Sequence, residues 1–233
     1  MTSRLALAPL AAALLLCGGC SSLGPRPTPE DSTRSEGARR FALTKFSEMT
    51  PEQRAAADAL RSGPRAAVGS SATAAADSVG SPFNIWIRRP ELLDRLQRVG
   101  ESIRFNSSLP PRLNEFAILI VAREWEAQYE WFAHHRLAMQ AKLDPKIAED
   151  LANGRRPSGM KPDEEVVYDF TTELLKHHGV SDATYRRAVE AFGEVGVADL
   201  VAVSGYYVLV AMTVNVDRTP IPNDGAKPLP KLG

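Results

Sequence analysis

Four times in this 233-residue sequence a proline stands where a helix would open: Thr50-Pro51, Pro90, Asp144-Pro145 and Pro162. Proline's fixed φ suits the first helical position, where its missing N–H costs nothing. Thr50 and Gln53 add a capping box, opening a helix that runs through Leu60 and stops at Gly63-Pro64. After Pro90, residues Leu92, Leu93, Leu96, Val99 and Ile103 recur at helical spacing. Asp144 caps a short helix from Lys146 to Ala152, Asp163 to Glu165 place negative charge in the first turn of the next, and Ser181 caps another. With no Asn-Gly hairpin signal and no period-two run, the fold class expected is all-α.

The final run, Val197 to Val216, is almost wholly apolar. Ser204, Gly205, Tyr206, Tyr207, Asn215 and the nearby Asp199 favour a core helix buried on most sides over a membrane span.

The ends divide the chain. Residues 1–20 read as a signal peptide: Arg4, an apolar run from Leu5 to Leu16, then Cys17-Gly18-Gly19-Cys20. Small residues before Cys20 resemble a lipobox, with Cys17 where an aliphatic residue is usual; Cys20 is therefore the expected lipidation site. An ordinary cleaved signal is the alternative, and either way an exported protein is expected. Residues 21–40 are rich in Pro, Gly, Ser and charge, the composition of a flexible tether. Residues 41–222 form the expected domain, with Ala66 to Ser81 as an irregular surface excursion, and 223–233 an extended tail. Lys plus Arg and Asp plus Glu both number 28, and this balance offers no basic surface for nucleic acid. Both cysteines lie in the first twenty residues, so the body is held by its core and does no thiol chemistry.

Chemistry concentrates in Asn114 to Leu143, NEFAILIVAREWEAQYEWFAHHRLAMQAKL. Glu130 and His134, four apart, share a helix face about 6 Å apart along the axis and form a candidate acid/base pair. The plain alternative is a solvated ion pair. Glu115 would lie about 28 Å from His134 on one straight helix. It joins the site only if the chain turns near Arg123 to Ala127 or another subunit supplies it. His135 points about 100° from His134. Two adjacent histidines make a poor shared metal site, so no metal or other cofactor is expected. Trp86, Tyr129 and Trp131 are candidate pocket walls, Asn84 and His135 polar contacts, and Arg104, Arg112 or Arg123 a carboxylate clamp. His177-His178 reads as ordinary C-terminal capping.

The ordered blocks GPR (63–65), SPFNIWIRRPELLDRLQ (81–97), IRFNSSLPPRLNEFAILIVAREWEAQYEWFAHH (103–135), VVYDFTTELL, VSDATYRRAVEAFGEVGVADLVAVSGYYVLVAMTVN and PIP resemble the carboxymuconolactone decarboxylase family, related to alkylhydroperoxidase D. The resemblance spans about Phe41 to Pro222. It implies an all-helical domain, a homo-oligomer (trimer or hexamer) and a pocket near subunit contacts. Placing the peroxidase branch's histidine at His134 puts Ala127 and Glu130 at its two cysteines and Glu115 at its upstream glutamate. Thiol peroxidase activity is therefore not expected. The decarboxylase branch keeps a glutamate four before the histidine, as Glu130 and His134 do. The expectation is an exported, lipid-anchored enzyme acting on a small carboxylated lactone or organic acid through Glu130, His134 and Glu115. The alternative is a small-acid-binding lipoprotein without turnover, facing the periplasm or cell exterior.

Overall fold

The computed structural model describes residues 37–65, 77–222 and 228–232, all within one compact unit. The expected signal segment with Cys20, the expected tether as far as residue 36, and most of the 66–81 excursion lie outside the described residues. Among the described residues there are eight α-helices and no strand: α1 Pro51–Ser62, α2 Phe83–Trp86, α3 Pro90–Phe105, α4 Pro111–Glu124, α5 Gln128–Gln140, α6 Pro145–Ala152, α7 Pro162–His177 and α8 Asp182–Asp217. A short 3-10 turn, Phe46–Glu48, precedes α1.

The helix starts follow the local chemistry. Thr50 and Gln53 exchange both capping-box hydrogen bonds, at 3.0 and 3.3 Å. Asp144 accepts from the Lys146 amide and Ser181 from the Thr184 amide. At the other end of α7, His178 closes the helix in the left-handed conformation.

Helix α4 is the centre of the bundle. Every residue from Leu113 to Arg123 is buried, and it packs on α5, α6, α7 and α8. A helix apolar on all sides has to be enclosed. Helix α8 departs from expectation. It breaks at Gly193 (φ 68°, ψ 174°), a conformation open to glycine because no Cβ collides there. It then packs on α7, α4, α3 and α5 through Leu200, Val203, Tyr207, Val210 and Val214. Its opposite face stays open: Val201 is 49% exposed, Met212 44% and Val216 54%. The helix is long and apolar enough to cross a membrane, yet one side of it supplies core. It is thus buried on one side, not on most sides.

Two boundaries also shift. Docked chain begins at least by Arg39, inside the expected tether, because Asp217 draws it in: Arg39 pairs with the carboxylate at 3.1 Å and Phe41 donates its amide at 3.0 Å. The end of the 66–81 excursion is core, with Ser78, Val79 and Ser81 buried. The tail is pinned as well. Gln128 pairs with both backbone polar groups of Leu229, at 3.0 and 2.7 Å, and Arg123 donates to the Pro230 carbonyl.

Candidate active site

The turn between α4 and α5 decides the site. Trp125 ends α4, Glu126 takes a left-handed φ of 47°, and the Ala127 amide donates to the Ala122 carbonyl at 2.8 Å. Asn215 of α8 donates to the Trp125 carbonyl at 2.8 Å and ties the turn to the last helix. The chain therefore doubles back where the sequence allowed it to, and Glu115 meets His134 within one subunit. Nδ1 of His134 donates to Oε2 of Glu115 at 2.7 Å. Arg104 of α3 holds the other carboxylate oxygen at 3.9 Å. Tyr207 places its ring edge-on to the imidazole, with centroids 4.8 Å apart, and Tyr206 packs edge-on to Tyr207.

The hydrogen-bonded partner of His134 is Glu115, not Glu130, the other member of the expected acid/base pair. Glu130 shares the buried face of α5, is 1% exposed, and neither carboxyl oxygen has a hydrogen-bond partner among the described residues. Burial alone pushes its pKa well above the usual carboxylate range. His134 moves the opposite way. Desolvation lowers its pKa, with Arg104 and Arg65 acting in the same direction and Glu115 opposing them. Burial thus pushes both groups, four residues apart on α5, toward their uncharged forms. Tyr206 is pushed up to about 12 by burial and Tyr207 is raised further, so both phenols stay neutral.

The remaining candidates separate. Trp86 is buried, donates to Thr213 Oγ1 at 3.3 Å and meets Tyr206 edge-on, which places it behind the site. Asn84 is fully buried, but its amide is spent on the backbone of Ala42 and Thr44. It pins the N-terminal segment. Trp131 and His135 stack on each other and line a separate cavity of about 550 Å³ beside Phe132, Pro145 and Pro228. Tyr129 is half-buried against Phe132. Of the three arginines weighed as a clamp, Arg112 is spent on Asp163 and Glu164, and Arg123 on the Ala152 and Pro230 carbonyls. Arg104 alone reaches the centre. No cluster of three or more metal-ligating side chains occurs among the described residues.

Arg65 was missed as a site residue. It follows α1, is 3% exposed, donates to the Gln97 carbonyl at 3.2 Å and lies over the Phe83 ring. The only sequence sign of it was its place in the GPR block.

No family model and no curated protein sequence matches this chain. Solved structures do. One, described as the alkylhydroperoxidase AhpD core of an uncharacterized peroxidase-related protein from Ralstonia eutropha JMP134, superposes with a TM-score of 0.63 at 16% identity, covering 81% of this chain and 94% of that one. The chain has the alkylhydroperoxidase D fold. An uncharacterized peroxidase-related protein from Silicibacter sp. TM1040 superposes at a TM-score of 0.54 and 18% identity, over 63% of this chain and 78% of that one. At such identities the likeness concerns the alkylhydroperoxidase D fold alone. Within it, this chain has no cysteine after Cys20 and places Ala127 and Glu130 at the start of α5.

Proposed function

We propose that the chain is an acid/base enzyme acting on a small carboxylated lactone or organic acid, with Glu130 as proton donor and His134 as base. The observation that carries this reading is the 2.7 Å contact of Glu115 with His134 beside a buried, unpartnered Glu130. Two titratable groups pushed in opposite directions are how an enzyme keeps an acid and a base at one pH. Glu115 fixes the tautomer: with Nδ1–H bound to the carboxylate, Nε2 carries the lone pair. In a decarboxylation the C–C bond to the carboxylate breaks, carbon dioxide leaves, and the electron pair spreads into a dienolate. Glu130 delivers a proton to carbon and His134 relays a replacement from water. The reaction uses no thiol.

The same reading keeps the export route: lipidation at Cys20 anchors the chain to a membrane facing the periplasm or cell exterior. Labelled palmitate should enter the chain and be absent from Cys20→Ala. It also keeps a homo-oligomer, with a second copy covering the open face of α8.

Carbon dioxide release from a panel of carboxylated lactones tests the chemistry. Glu130→Gln and His134→Ala should each lower it by about 10² or more. A folded protein that binds one of these acids and releases nothing is a binding lipoprotein instead.

A further inference from the structure

Among the described residues, no anion pairs with the buried cation Arg65. Among those residues its guanidinium, which does not deprotonate in proteins, makes one hydrogen bond, to the neutral Gln97 carbonyl, while its buried Nε has no partner. Glu101 acts on it only at longer range and forms no ion pair with it. Leaving a charge buried and uncompensated is costly, so a chain that does so is holding that charge for something else. Arg104 has an orphaned, buried Nε as well, although its Nη2 faces Glu115 at 3.9 Å.

Two guanidiniums, Arg65 and Arg104, converge here, and among the described residues Glu115 is paired with Arg104, which leaves the charge on Arg65 in surplus. Space for this arrangement comes from Gly100 of α3. A Cβ there would lie 2.3 Å from the Tyr206 hydroxyl and 2.7 Å from Arg65 Nη2. Glycine therefore lets a phenol and a guanidinium converge on one spot. Arg65, Arg104 and His134 all act on one another electrostatically, so a charge placed at Arg65 is felt at the imidazole.

We propose that Arg65, admitted beside Tyr206 by Gly100, is the anion-receiving residue of this centre and selects ligands carrying a single carboxylate. The inference rests on the proposed function for the place of the site, but not for its chemistry. A monoanion neutralises the surplus charge. A dianion leaves a buried negative charge in turn, and a neutral amide leaves Arg65 uncompensated. One carboxylate has two oxygens to satisfy the forked donors of a guanidinium.

Calorimetry and thermal shift on the full chain in mild detergent, with acetate, sorbate and benzoate as probes, test this. At least one should bind and raise the melting temperature, with benzamide and phthalate about tenfold weaker or more than benzoate if benzoate is the acid bound. Arg65→Met should lose about tenfold or more in that affinity, yet melt unliganded no lower than the wild type, because a buried uncompensated charge has gone. Should the variant fail to fold, the wild type still decides: the bound acid must raise the His134 titration midpoint followed by NMR, because it screens the Arg65 charge. No binding by any of the three acids, undiminished binding by Arg65→Met, or an unmoved His134 midpoint overturns the inference. Carboxylate binding through Arg65 without carbon dioxide release would sink the acid/base reading alone, whereas turnover indifferent to Arg65→Met would sink this one alone.

Discussion

Nδ1 of His134 lies 2.7 Å from Oε2 of Glu115, nineteen positions earlier in the chain, because a single left-handed residue, Glu126, folds α5 back along α4. Helix α4 is the most enclosed element, so Glu115 is held on a rigid support. A base oriented by a carboxylate on buried helices keeps its tautomer and direction without reorganising during reaction.

Because the two residues act as one unit, Glu115→Gln and His134→Ala should each cost about 10² or more in kcat/KM, and the double variant little more than either. The pH profile separates their roles. Glu115 raises the His134 pKa against the stronger effect of burial, so Glu115→Gln should move the ascending limb of kcat/KM to lower pH. A limb that stays in place would show that Glu115 does not act through the imidazole.

Glu130 should make the fold less stable as pH rises. Its folded pKa lies above the ordinary value of 4.5, so above that pH the unfolded chain releases a proton the folded chain keeps. The contribution is complete below about pH 4.5 and is lost as pH climbs through the folded value. Glu130→Leu should remove this slope, stabilise the fold by about 1–3 kcal/mol near neutral pH and abolish turnover. His134 works in the opposite sense: its lowered pKa makes stability fall as pH drops below 6.5. Urea midpoints measured against pH for the wild type and Glu130→Leu check both slopes.

Asp217 closes the N-terminal segment onto the end of α8. It is fully buried, pairs with Arg39 and accepts from the Phe41 amide and the Thr219 hydroxyl, the last at 2.6 Å. Asp217→Ala should cost about 3–5 kcal/mol, because Arg39 and the amide lose their acceptor together. The denaturant midpoint should fall with the slope unchanged.

The open apolar face of α8 is a surface where a charge should be harmless to a monomer and damaging to an oligomer. Val201→Glu with Met212→Lys should leave the melting of an isolated subunit within about 0.5 kcal/mol, as exposed substitutions do. Light scattering should show the oligomer reduced to monomers. A wild-type chain that is monomeric at micromolar concentration removes the oligomer from the reading.

Local chemistry decided where helices begin. The Thr50 capping box, the Asp144 and Ser181 caps and the helix-opening prolines act over three or four residues, so they are legible without a fold. The sequence also placed Glu130 and His134 on one helical face, since that follows from 3.6 residues per turn. It left open which carboxylate meets the imidazole, because that depends on the direction of the chain after Trp125. Tertiary structure chose Glu115, withdrew every partner from Glu130, spent Asn84 on the N-terminal backbone and sent Trp131 and His135 to another cavity. Arg65 is the clearest case. Nothing in the residues around it marks it as buried, and the packing of α3 and α8 at Gly100, with the Phe83 ring, encloses its charge. Helix formation is a short-range matter of backbone geometry and capping, whereas burial, and with it every shifted pKa at this site, exists only once distant segments have excluded water together.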